Sequence, residues 1–125
     1  MRHGKEKTVK YMAIIYGNKE MWESFPPEVA AKAIGEVDAY NRRYTASGEL
    51  LGAYGLADEV MARTVRVRDG VPAVTDGPYI EAKEFVSSFW LLDVESEKRA
   101  LEIVAEHPFA ATNAVEVWPI LHESA

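Results

Sequence analysis

The segment FVSSFWLLDV, residues 85–94, constrains the fold more than any other. Its β-branched and aromatic residues read as a strand. Alternation places Val86, Trp90, Leu92 and Val94 on one side, with Phe85, Phe89 and Leu91 on the other. Both faces of this strand therefore need cover, and a sheet with a single packed layer supplies only one.

The remaining elements say what the first layer is. VKYMAIIY, residues 9–16, is a buried strand ending at the turn signal Gly17-Asn18. Pro26-Pro27 opens a helix in which Ala30, Ala33, Ile34, Val37, Tyr40 and Tyr44 recur at helical spacing, up to a C-terminal cap at Gly48. LLGAYGL, residues 50–56, is a strand whose glycines, Gly52 and Gly55, mark a bulge or a close backbone approach and border a pocket in one reading. TVRVR and VPAVT flank Asp69-Gly70, the signal for a type I′ hairpin. Ser96 caps a second helix reaching about His107, with Ala100, Leu101, Ile103 and Val104 inward and Pro108 as its stop; AVEVWPI is the last strand.

This order is α+β: a ferredoxin-like βαββαβ sandwich with a β-hairpin inserted between its second and third strands. At 125 residues the chain fits one domain. Its expected limits are residues 9–121, with a flexible N-terminal arm over 1–8 and a tail over 122–125. Two helices cover one face of a four-stranded sheet. For so short a chain the simplest cover for the other is a second copy, which predicts a homodimer through the sheet faces.

A net charge of −6 argues against a nucleic-acid surface, since neutralising phosphates takes clustered Lys and Arg. No apolar run approaches the roughly 20 residues of a membrane helix, and no signal-peptide core follows the N-terminal charges. Neither nucleic acid nor a membrane is expected as a partner, and the expected location is cytoplasmic. The chain has no cysteine, which removes disulfides, thiolate nucleophiles and cysteine metal sites. His3, His107 and His122 match no zinc spacing, so neither a metal nor another cofactor is expected. His107, beside a helix C-terminus, is expected to interact with the terminal carbonyls. No Walker loop or dinucleotide glycine fingerprint occurs, and no Ser-His-Asp order can be assigned.

The stretch DGPYIEAKE, residues 76–84, has two readings. As a turn it is complete: Asp76 accepts local N–H bonds, Gly77 takes positive φ and Pro78 ends the ladder. As a ligand site, Asp76, Tyr79, Glu81 and Lys83 supply an aromatic, two carboxylates and an ammonium, and Tyr16 at a strand end adds a phenol. A carboxylate there, Asp76 or Glu81, becomes a candidate proton acceptor if an apolar cleft raises its pKa.

KYMAIIYG near the start, TVRVRDG and VTDGPYIEAKE in the middle, FWLLDV before the second helix and VEVWPI at the end resemble the YCII-related proteins, in particular their DGPF subgroup, with Tyr79 in place of the usual Phe. The resemblance covers residues 9–121 and implies a dimeric α+β barrel of ferredoxin-like subunits. Some such relatives look like enzymes with a His-Asp pair whose His lies on the first helix, and one is similar to a dehydrochlorinase of chlorinated hydroxyquinols. Here Val37 falls near that position, and Trp118 replaces a more usual Arg. The subgroup is often encoded beside extracytoplasmic-function sigma factors, which implies a regulatory or accessory role. The leading expectation is a dimeric small-molecule-binding or accessory module, with a functional link to such a sigma factor implied by the resemblance. The alternative is a small enzyme doing acid-base chemistry, lyase or dehalogenase-like, on a small cyclic or aromatic substrate, with Asp76 or Glu81 as base.

Overall fold

A computed structural model describes residues 7–80 and 82–124. Strands β1 (Val9–Gly17), β2 (Leu50–Gly55), β5 (Phe85–Val94) and β6 (Val115–Pro119) form one antiparallel sheet in the order β2-β5-β1-β6. Strands β3 (Arg63–Arg68) and β4 (Val71–Asp76) pair only with each other. Three helices, α1 (Lys19–Glu23), α2 (Pro27–Ala46) and α3 (Glu97–Ala105), complete a mixed α+β architecture compatible with the ferredoxin-like plan. α1 was not foreseen, because five residues are too few to show a helical period.

The core lies between α2, α3 and one face of the sheet. Tyr11, Ala13 and Ile15 of β1 face inward with Trp90, Leu92 and Val94 of β5, against Tyr40 and Tyr44 of α2 and Ala100, Ile103 and Val104 of α3. The strand alternation is thus as expected over Trp90–Val94. It fails at the start of β5, where Ile15 pairs with Ser88 but Tyr16 pairs with Val86. Ser87 is the extra residue of a bulge, and a bulge re-aims the side chains beyond it. Val86 therefore joins Phe89 and Leu91 on the outer face, and Phe85 joins Trp90 on the inner one. In α3, Ile103 is fully buried and Leu101 is half exposed, so Leu101 does not belong to the inward stripe.

Two glycine expectations hold locally. Asp69 and Gly70 both take positive φ, 51° and 77°, which closes the β3-β4 hairpin. β2 is bulged between Leu50 and Gly52. The far half of α2 stands away from the sheet: Tyr40 and Tyr44 are buried, but Ile34 is 62% exposed. Met12, Ile14, Phe89 and Leu91 line the outer sheet face, half-buried by one another, with no helix of the described residues over them.

Candidate functional site

Where α2 stands off, an open cleft of about 450 Å³ runs between it and the β2-β5 edge. Its rings are Trp22 from α1, Trp90 from β5, and His107 and Phe109 from the segment after α3, while Phe89 of β5 and Tyr54 of β2 border it from strand positions whose side chains face the outer side of the sheet. Ile34 and Val37 of α2 and Leu56 add aliphatic surface. The polar lining is sparse, with Asp38 and Asn41 on α2, Asp58, and the hydroxyls of Ser87 and Ser88.

Each ring is held by something specific. Asn18 caps α1, its Oδ1 accepting from Met21 N at 2.7 Å, and its Nδ2 donates to Lys83 O at 2.6 Å, which fixes α1 against the start of β5. Trp22 then donates from Nε1 to Ser87 Oγ at 3.0 Å and packs edge-on against Phe109, ring centres 5.4 Å apart. The bulge supplies that serine. Gly17 supplies the space, since a Cβ there would lie 2.6 Å from the Trp22 ring. On the outer face of the sheet, behind the cleft, Tyr54 stacks on Phe89 at 5.2 Å.

His107 is the buried titratable group of the cleft. Its ring stacks on Trp90 at 4.4 Å and takes the edge of Tyr40 at 4.8 Å. Its Nδ1 accepts the Phe109 N–H at 3.1 Å, capping the single turn Pro108–Ala111. The expected interaction with the α3 carbonyls is therefore replaced by an acceptor role toward the next turn. Burial pushes the imidazole down to about 4, so it is neutral at pH 7. Tyr40 donates to Ile103 O at 2.8 Å, and burial raises its phenol well above the usual value, with the neighbouring Trp90 indole offsetting part of the rise. Trp90 Nε1 is sealed from solvent and has no acceptor at full hydrogen-bonding geometry.

The residues singled out from the sequence lie elsewhere. Asp76 closes β4 with its side chain 91% exposed and 3.2 Å from Arg63, its cross-strand partner. Gly77, at φ 87°, donates to Ala62 O at 2.8 Å, so the second Asp-Gly stitches the base of the hairpin. Tyr79 is exposed and lies under the Arg66 guanidinium at 5.4 Å. Lys83 lines a shallow polar depression with Asn18 and Glu20 that shares no residue with the cleft. Tyr16 is on the outer sheet face and donates to Glu116 Oε1 at 2.9 Å, a bond that raises its phenol above the usual value, helped by burial. Glu81 and His3 lie outside the described residues. Asp76 and Tyr79 thus share the hairpin region, and Tyr16 and Lys83 each stand in a different setting.

The cleft residues were missed, and one signal could have found His107. It follows Ala100, Ile103 and Val104 at the spacing of the same buried helical stripe, so its ring is directed where theirs are. Among the described residues no cluster of His, Asp or Glu could hold a metal ion, and no helix is long and apolar enough to cross a membrane.

Comparison with known proteins adds the lineage. The family model described as the YCII-related domain matches residues 9–124. The chain belongs to the YCII-related family. It is similar to the uncharacterised protein R00369 of Rhizobium meliloti (strain 1021), at 28% identity over 112 residues that cover 88% of this chain and 90% of the relative. The family explains why the resembling motifs keep their order, and assigns no chemistry to the cleft.

Proposed function

We propose that this YCII-related chain is a small-molecule-binding or accessory module whose ligand occupies the cleft between α2 and the β2-β5 edge, working as a pair of subunits joined through the outer sheet faces. One observation carries the ligand reading: an open cleft of about 450 Å³ walled by aromatic rings with few polar groups. That size and lining are those of a site for a small organic ligand, typically about 300–1,000 Å³ and mostly apolar. The paired reading is supported by the apolar outer face of Met12, Ile14, Phe89 and Leu91.

The binding reading stands ahead of acid-base chemistry at Asp76. A general-base carboxylate relies on desolvation, and Asp76 sits in water beside Arg63. A thermal-shift screen of metabolites on the wild type, Val37→Trp and Asp76→Ala separates the sites. The expected result is a ligand that raises the melting point of the wild type and of Asp76→Ala, but not of Val37→Trp, whose indole fills the cleft. Ligands that survive Val37→Trp and are lost in Asp76→Ala or Lys83→Ala would move the site to the loop.

A further inference from the structure

We propose that His107 is a fixed hydrogen-bond donor in the cleft, and that the ligand it selects is an uncharged flat ring bearing a carbonyl. The inference deepens the reading of the cleft as a ligand site and rests on it. The geometry starts at Nδ1, which accepts the Phe109 N–H at 3.1 Å and so must present a lone pair. A neutral imidazole has one proton, which then sits on Nε2. Burial keeps the ring neutral at physiological pH. The stack on Trp90 and the edge of Tyr40 stop the ring from turning to exchange its two nitrogens.

Nε2–H is consequently a donor of settled identity. Among the described residues it has no hydrogen-bond partner, and its ring lines the cleft. Nε2 is not sealed from solvent, so a ligand that covers it strips its water, and a ligand that offers an acceptor in exchange is preferred over one that leaves the donor unpaired. The rest of the lining narrows the class. Trp22 and Phe109 favour a flat ring, and the carboxylates Asp38 and Asp58 at the rim disfavour an anion. A ring ketone meets all three conditions, and a carboxylate or phosphate fails the last.

Three probes of similar size test this: chromone, an uncharged ring ketone; naphthalene, which has no acceptor; and chromone-2-carboxylate, an anion. Binding is followed by tryptophan fluorescence in the wild type, in His107→Asn, whose side-chain oxygen can keep the Phe109 cap while its amide N–H stops short of the Nε2 position, and in His107→Gln, whose longer amide can return a donor there. The expected result is chromone binding about tenfold more tightly than naphthalene in the wild type, the worth of one net hydrogen bond, and more tightly than chromone-2-carboxylate, which Asp38 and Asp58 repel. The preference over naphthalene disappears in His107→Asn and returns in part in His107→Gln. Equal binding of chromone and naphthalene to the wild type, or a preference that survives His107→Asn, overturns the donor role and leaves the cleft as a ligand site. Binding of no probe overturns both. If His107→Asn does not fold, nitrogen NMR of the wild type decides alone: a proton on Nδ1 at pH 7 refutes the assignment.

Discussion

A histidine held neutral by burial alone ties stability to pH. His107 takes its proton near 6.5 when the chain is unfolded and at about 4 when folded. Between those values the unfolded state binds more protons, so stability rises with pH there; it is lost as pH falls from about 6.5 to about 4 and is flat below. The loss amounts to roughly 3 kcal/mol. Urea unfolding at pH 7, 5.5 and 4, compared with His107→Asn to remove the carboxylate background, measures it; an imidazole that titrates at 6.5 by NMR contradicts it. Gly17 offers a second test. Gly17→Ala drives a methyl into the Trp22 ring and breaks the Trp22-Ser87 bond, at a cost of about 1–3 kcal/mol by denaturant titration. Neither residue was legible as a site residue: a glycine before a turn carries no periodic signal, and the helical stripe that directs His107 inward says nothing of a cleft. Their roles come from what the fold brings beside them.

At the scale of elements, the periodic segments and the Asp69-Gly70 turn were legible, and the ties between elements were not. The strands, α2, and α3 with its Ser96 cap follow directly from apolar spacing and capping residues, and Ser96 Oγ does accept from Arg99 N at 3.1 Å. The bulge at Ser87 was hidden, since a one-residue register shift changes no composition and is set by the partner strand. So was the tie between elements made by Glu49 and Arg99. Glu49 is buried just before β2, and Arg99 of α3 grips it with Nε at 2.8 Å and Nη2 at 2.9 Å. The bond to Glu49 is the main reason the guanidinium is held charged more firmly than usual. Arg99→Met leaves a carboxylate facing little water, and the expected loss is roughly 2–3 kcal/mol, reduced from the fully buried case because Arg99 is one-third exposed. Chemical denaturation checks it, and Glu49→Gln combined with Arg99→Met recovers part of the loss.

For the molecule as a whole, the two-sided β5 is the feature the sequence made plainest, and it leads to the proposed pairing. Leu91→Asp puts a charge in the middle of the outer face while leaving the inner core untouched. Sedimentation is expected to show a dimer for the wild type and a monomer for this variant; a wild type that stays single at tens of micromolar rejects the pairing. The cleft lay beyond reading from sequence, because its lining comes from α1, α2, β2, β5 and the segment after α3, which only the fold brings together. The β3-β4 hairpin has a consequence of its own. Every one of its strand residues but Thr64 is exposed, and the bonds at its base, Gly77 to Ala62 and Thr64 to Gly77, join the hairpin to itself. It can therefore fray without disturbing a strand of the larger sheet. In heavy water its amides will take up deuterium by local opening long before those of β1 and β5, and a protease will nick the chain there first.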